Sequence, residues 1–236
     1  MNRTLRIALV SAGIVVALVG CTGPGTGGGP TGSTPPSSAS TTLPDLGPLS
    51  PGSYLIGDPF PVQVSVTLAG EQWGVWAPVS PDVAAVYQEA ATSPDGRGIV
   101  VVVVESLPTD PCDHSSAMLD PPLGPTVDDL AAALTGQPST DASEPTDVTL
   151  DGYSGTYLEY SMTGITEDCP GGLIRWQTSQ GPRMAIAGEH DQVWILDVDG
   201  VRLVIDAFSF PDTPVAALTE LRQIVESMQI EPASGS

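Results

Sequence analysis

The sequence predicts an α+β domain in which an antiparallel β-sheet is packed by a mid-chain helix and a C-terminal amphipathic helix. Most apolar segments alternate with polar residues at the two-residue period of a half-buried strand. Two Asp-Gly pairs stand between such segments, and this dipeptide is the strongest short-range signal for a β-hairpin. Only two segments combine helical spacing with helix end signals. Helices that cover one face of an antiparallel sheet define the α+β class.

Four segments in the first half of the domain predict strands. Residues 62–68 alternate strictly between apolar and polar side chains, residues 73–77 continue after a turn, and residues 83–90 fit a strand better than a helix. The β-branched run 99–104 is typical of a central strand that is buried on both faces.

The pairs Asp151-Gly152 and Asp199-Gly200 predict two hairpins in the second half of the domain. Two further apolar segments between these hairpins also predict strands. The predicted strands of this half are 147–150, 153–163, 173–179, 184–187, 192–198 and 201–208.

Two segments predict helices. Thr126 is the expected N-cap of a helix over 127–134, which carries acidic residues in its first turn. The second helix covers 212–229, starts at its first or second residue and has Pro214 at the first helical position. Its apolar residues recur every three or four positions and form one stripe that faces a sheet. These residues are Leu218, Leu221, Val225 and Met228.

The N-terminus resembles a bacterial lipoprotein signal peptide with its lipobox. Arg3 and Arg6 precede the small and apolar run 7–20, which ends directly before Cys21. A retained transmembrane helix is the alternative, but it needs about 20 apolar residues, whereas a signal segment needs about 7–15. The resemblance implies that residues 1–20 are removed and that Cys21 carries a diacylglycerol group and a further acyl chain such as palmitate. Two or more chains anchor a protein stably, here at the extracytoplasmic face of the cell membrane.

Composition divides the rest of the chain into three parts. Residues 21–50 are almost entirely Gly, Pro, Ser and Thr, so we expect a disordered tether with no binding role. Residues 51–232 suffice for a single α+β domain with its own core, and 233–236 form a short disordered tail. The chain has 7 Lys and Arg against 28 Asp and Glu, and every basic residue is an arginine. Nucleic acid is therefore excluded as a partner, since phosphate binding needs clustered basic residues. We expect a monomeric domain.

Cys112 and Cys169 remain once Cys21 is assigned to the lipid anchor. An even pair of cysteines in an exported chain most often forms a disulfide, and a metal site is the alternative interpretation. Both cysteines stand beside prolines and acids, so the disulfide would join two loops.

Two groups of residues are candidate binding sites. A disulfide would bring Asp113 and His114 towards the acids at 167–168, and the run Glu189-His190-Asp191 could extend this carboxylate and imidazole patch. The alternative is that these are solvated loop residues, because no ligand spacing here is diagnostic of a metal. Trp73 and Trp76 border glycines at a predicted turn and are expected to be exposed for binding, although tryptophans are also ordinary core residues.

The order of the elements resembles a known fold. The hairpin 148–155, with the pattern V-x-L-x-G-Y-x-G, and the helical stretch 221–230 look like the PsbP-like fold of actinobacterial cell-envelope lipoproteins. Residues 110–114, 124–134 and 194–200 resemble, more narrowly, an uncharacterised family of actinobacterial exported proteins. This resemblance implies the fold but no reaction.

Two hypotheses about function follow. The first is a non-catalytic envelope module without a cofactor that binds an envelope lipid, a wall component or another protein. The alternative is a hydrolase or metal-dependent enzyme centred on His114 or His190. The sequence contains no G-x-S-x-G nucleophile motif and no complete calcium loop, which favours the binding module.

Overall fold

The protein is described by a computed structural model that covers residues 40–75, 78–88, 96–114, 118–163, 169 and 172–232. Within these ranges the chain forms mainly antiparallel strands and two helices, so the predicted α+β class is confirmed. None of the helices in this part of the chain is long and apolar enough to cross a membrane. The helices are α1 (Val127–Gly136) and α2 (Val215–Glu226).

Fifteen strands are formed by the described residues. In chain order they are β1 (Thr41–Thr42), β2 (Gly47–Leu49), β3 (Gly52–Ile56), β4 (Val62–Leu68), β5 (Trp73–Val75), β6 (Val83–Gln88), β7 (Arg97–Val102), β8 (Thr140–Ala142), β9 (Thr146–Leu150), β10 (Tyr153–Met162), β11 (Ile174–Thr178), β12 (Gly181–Met184), β13 (His190–Val198), β14 (Val201–Ser209) and β15 (Gln229–Pro232).

A nine-stranded sheet forms the centre of the domain. Its strand order is β2-β5-β6-β7-β14-β13-β10-β8, and β9 pairs with the other half of β10. The predicted β-branched run forms β7, which lies between β6 and β14. A second sheet has the order β1-β3-β4-β15, and β11 with β12 forms a separate hairpin.

The two faces of the central sheet pack against different elements. One face, called the helix face here, shares a core with α2 and the four-stranded sheet. The opposite face, called the hairpin face, shares a core with α1 and with the hairpin β11–β12. Because side chains alternate along a strand, neighbouring residues of β13 and β14 belong to opposite cores.

Both Asp-Gly hairpins are confirmed. Asp151 and Gly152 have φ angles of 48° and 88°, and Asp199 and Gly200 have φ angles of 51° and 90°. Positive φ at both central residues is the geometry of a type I′ turn, whose twist matches that of the flanking strands. Gly155 belongs to the same motif but is required for close strand packing and not for the turn. An added Cβ there would lie 2.0 Å from the backbone oxygen of Ile195 on the next strand.

The helix ends differ in how well the sequence predicted them. Thr126 caps α1 as expected, and its side chain and that of Asp129 form a reciprocal capping box. Pro214, however, is the N-cap of α2 rather than its first helical residue. The helix also ends at Glu226, because the chain leaves it to form β15 beside β4.

The folded domain starts before the predicted boundary at residue 51. Strands β1 and β2 lie within the predicted linker 21–50; β1 pairs with β3 and β2 pairs with β5. Leu43 and Leu49 are both buried in the core of the helix face. Two apolar residues and short backbone pairing thus order residues 40–50, although this part of the predicted linker is rich in Pro, Ser and Thr.

Candidate functional site

The predicted disulfide between Cys112 and Cys169 is present, with the two Cα atoms 5.3 Å apart and 57 positions apart in the sequence. It joins the loop after β7 to the segment before β11. The same junction contains a hydrogen bond from the Ile174 amide to the Pro111 carbonyl oxygen, 2.8 Å long. The disulfide therefore holds the start of the hairpin β11–β12 at the edge of the hairpin face.

The candidate patch of histidines and carboxylates has a different arrangement from the one expected. The His114 ring lies 2.6 Å from the carbonyl oxygen of Gly172, and the His190 ring lies 3.7 Å from Glu159 at the surface. The Asp113 amide donates to the Asp110 carbonyl oxygen. Residues 167–168 lie outside the described part of the chain, within which no group of three or more ligands is arranged for a metal.

The expectation for Trp73 is wrong, because its side chain is only 1% exposed and belongs to the core of the helix face. The neighbouring glycines suggested an exposed turn, but β5 lies between β2 and β6 and is covered on this face. Trp76 lies outside the described residues.

A buried ionic cluster lies on the hairpin face. The sequence indicated two of its acids, Glu189 and Asp191, but not their arginine partner. Arg175 on β11 is fully buried, and three carboxylates converge on its guanidinium group. The Asp191 carboxylate accepts a hydrogen bond from Nη1, the Asp206 carboxylate lies 3.6 Å from the same atom, and the Glu189 carboxylate lies 3.3 Å from Nη2. All four side chains are 0% exposed. Their mutual compensation is what allows charges at this depth.

Strand register explains why the two aspartates meet. Asp191 on β13 pairs with Phe208, and Asp206 on β14 pairs with Val193, so the two carboxylates occupy diagonal positions. Both point to the hairpin face, where Arg175 approaches from above the sheet. The ring of Tyr160 on β10 lies 5.5 Å from the Arg175 Cζ atom and completes the surroundings.

Burial raises the pKa of Asp191 well above its usual range and also raises that of Asp206, while Arg175 opposes both shifts. Burial alone would lower the pKa of Arg175, but the three carboxylates raise it above its ordinary value. A proton is therefore retained on the aspartates to higher pH than on an exposed carboxylate, whereas Arg175 stays charged.

The cluster fastens the hairpin β11–β12 to the central sheet. Arg183 on β12 donates to Glu189, which thereby bridges the two arginines of the hairpin. At the other side, the Gln137 side chain at the end of α1 donates to the Arg175 carbonyl oxygen over 3.0 Å. The hairpin is thus tied to the sheet and to α1 by polar contacts that are largely removed from water.

A cavity of about 520 Å³ lies between this hairpin and the strands β6 and β7. We call it the hairpin cavity. Its walls are mostly apolar, with Arg183 the charged residue among the described residues that line it. The lining residues are Pro78, Val79, Ser80, Pro81, Val83, Val100, Val102, Trp176, Thr178, Gln180, Gly181, Pro182 and Arg183.

No family model and no curated protein matches the chain. Among solved structures, the chain is similar to LpqN of Mycobacterium tuberculosis, a protein involved in cell envelope biogenesis, with 16% identity and a TM-score of 0.41 over 75% of this chain and 87% of that one. It is also similar to the cyanobacterial PsbP protein CyanoP from Synechocystis, with 15% identity and a TM-score of 0.38 over 86% of this chain and 99% of that one. Both scores are too low to carry an argument about this protein, so the predicted PsbP-like likeness stays a prediction.

Proposed function

We propose that the protein is a lipid-anchored, extracytoplasmic binding module of the cell envelope that holds an apolar ligand in the hairpin cavity without catalysing a reaction. The observation that carries this proposal is the cavity itself. Its volume of about 520 Å³ lies within the range of about 300–1,000 Å³ that is typical of small-molecule sites. Such sites are lined mainly by apolar side chains, as the proline and valine residues line this one.

The walls of the cavity are held in place before any ligand arrives. One wall belongs to the central sheet through Val83, Val100 and Val102. The other belongs to the hairpin β11–β12, which Arg175 fastens to the sheet face. A site whose walls are already ordered loses less conformational entropy when a ligand binds. This supports a binding role for the cavity between the hairpin and the sheet.

The anchor in this proposal is Cys21, preceded by the charged and apolar segment described above. We expect Cys21→Ala to move the protein from the membrane fraction to the soluble fraction, because the site of the acyl chains is lost. Cell fractionation followed by immunoblotting measures the change. Cys21→Ser is the matched variant that also lacks the lipidated sulfur but keeps a small polar side chain, and retention of both variants in the membrane would contradict the anchor.

Val83→Phe tests the binding site. Val83 is half-buried in the cavity wall, so a phenyl ring there occupies space that the ligand needs. We expect the affinity for the apolar dye Nile red, measured by fluorescence titration of the full chain, to fall by at least about tenfold.

Val215→Phe is the control for that titration, since Val215 is 79% exposed and does not line the cavity. It adds the same ring at the surface and should leave Nile red affinity within about twofold of wild type. Equal affinity of wild type and Val83→Phe, with unchanged circular dichroism, would show that the dye does not enter the hairpin cavity and would overturn the proposal.

A further inference from the structure

We propose that the hairpin cavity selects uncharged apolar ligands over anionic ones, because Glu189 neutralises Arg183. This inference rests on the proposed function and specifies its ligand class. An arginine in an apolar cavity ordinarily indicates a partner that carries a carboxylate or phosphate. In this cavity both terminal nitrogens of the arginine already have internal acceptors. Nε has no hydrogen-bond partner among the described residues, but it is buried and out of reach of an anion from solvent, so the side chain does not offer an anion site.

The contacts of Arg183 are with its own chain. Nη2 donates to the Glu189 carboxylate, and Nη1 donates to the Met184 carbonyl oxygen over 2.5 Å. The Arg183 Cζ atom also lies 5.6 Å from the centroid of the Phe208 ring. The side chain is 20% exposed and is among those that line the cavity.

Glu189 is held firmly in this role. Its side chain is 0% exposed. Besides Arg183, the carboxylate accepts a hydrogen bond from the Ile186 amide over 3.0 Å and lies 3.3 Å from Nη2 of Arg175. Withdrawal of Glu189 from Arg183 would have to break these contacts inside the protein, where an uncompensated charge is costly. An incoming anion therefore does not displace it.

The two hydroxyl groups of the cavity wall are also engaged. The Ser80 hydroxyl donates to Asp82 and accepts from the Val83 amide, and the Thr178 hydroxyl donates to the Gly181 carbonyl oxygen over 3.0 Å. Ligand groups that lose water in this cavity would gain few hydrogen bonds in return. This penalty is small for a hydrocarbon and large for an ionised carboxylate.

The charges of the ionic cluster next to the cavity also disfavour anionic ligands. The ionic cluster contains three carboxylates, of Glu189, Asp191 and Asp206, and two guanidinium groups, of Arg175 and Arg183. Positive charge is thus not in excess near the cavity. The whole chain, with a formal net charge of −21, adds long-range repulsion of anions at low salt.

The test compares two ligands with the same acyl chain and different head groups. Monolaurin has an uncharged glycerol ester, and laurate has a carboxylate that is ionised at about pH 8. Displacement of Nile red from the full chain, with blank titrations for probe partitioning, measures both affinities. We expect wild type to bind monolaurin at least about tenfold more tightly than laurate, because the carboxylate loses hydration without gaining a partner.

Glu189→Gln sharpens the comparison, because it keeps the shape of the side chain and removes the charge that masks Arg183. We expect laurate to gain at least about tenfold in affinity while monolaurin stays within about twofold. Glu144→Gln, the same change at an exposed residue remote from the cavity lining, should alter neither affinity. Circular dichroism establishes that each variant folds, and the wild-type comparison does not depend on any variant.

The possible results separate the two proposals. If laurate binds wild type as tightly as monolaurin or more tightly, the charge selection is wrong while ligand binding in the cavity stands. If neither compound displaces Nile red, the proposed apolar site is overturned and the selection falls with it. If a folded Glu189→Gln variant gains no laurate affinity, Glu189 is not the residue that masks Arg183.

Discussion

The two faces of the central sheet are stabilised in different ways. On the helix face, α2 and the four-stranded sheet bury apolar side chains, and the ion pair between Arg97 and Glu220 stays at the margin, with side chains 13% and 32% exposed. On the hairpin face, Arg175 and its carboxylates are fully buried between the sheet and the hairpin β11–β12. The hairpin face also contains the disulfide and borders the hairpin cavity.

This difference bears on the proposed binding site. Apolar burial contributes about 25 cal/mol per Å² and needs no partner of defined geometry. A buried ion pair often contributes no more stability than apolar residues of the same volume would. The hairpin face therefore keeps a costly arrangement where apolar packing would suffice for folding. This arrangement holds the hairpin over the sheet with a cavity between them. Such an arrangement suits a ligand-binding site better than a purely structural role.

Arg175→Met should have the largest effect of the substitutions that distinguish the two faces. It keeps the bulk of the side chain but leaves Asp191 and Asp206 buried without their main counter-ion. We expect the free energy of unfolding to fall by about 3–5 kcal/mol at neutral pH, as when one partner of a buried pair is removed. Urea unfolding monitored by tryptophan fluorescence measures this change.

Leu221→Ala is the matched variant for the helix face, where Leu221 on α2 is fully buried. We expect a loss of about 2–5 kcal/mol from the lost burial and the resulting cavity. The loss in Arg175→Met should shrink as the pH is lowered and the carboxylates become protonated, whereas the loss in Leu221→Ala should not. Equal pH dependence of the two losses would contradict the assigned difference between the faces.

Local signals made much of the fold predictable. Both Asp-Gly hairpins need only two residues that accept positive φ between alternating segments. The start of α1 needs only Thr126 and an acid three positions later. Pairing of Cys112 with Cys169 follows from the number of cysteines once Cys21 is assigned to the anchor. Each of these predictions depends on neighbouring residues or on a count, and none depends on the path of the chain.

The ionic cluster and the cavity could not be predicted in that way. The sequence does carry a signal, because Arg175 and Asp206 each interrupt an apolar segment and such charges are rarely buried without partners. What it lacks is the pairing, since Arg175 meets Asp206 only after β11 folds onto the sheet. The prediction that Trp73 is exposed was wrong for the same reason. Its neighbouring glycines indicated a turn, and only the sheet order shows that β5 is covered.

A smaller effect should come from Asp206→Asn, which probes the excess of carboxylates in the cluster. Burial raises the pKa of Asp206 and of Asp191 in the folded protein. In the unfolded chain the aspartate pKa is about 3.9, so above that pH the folded protein keeps protons that the unfolded chain releases. The contribution of these two aspartates to wild-type stability should therefore be greatest below that pH and be lost as the pH rises through the folded-state values.

Asparagine removes one titrating group, and its amide can still donate to the Asp191 carboxylate, whose side-chain hydrogen bond opposes the rise in the pKa of Asp206. Asp191 then has Arg175 as its counter-ion without the repulsion of a second aspartate. We expect thermal melts of Asp206→Asn to show a weaker decrease of Tm with pH and a Tm about 2–4 °C above wild type at about pH 8. Asp147→Asn, on the exposed part of β9, should keep the wild-type slope. A wild-type Tm that rises from pH about 5 to about 8 would mean that other groups outweigh the buried aspartates, and an unchanged slope in Asp206→Asn would show that the cluster retains no extra proton.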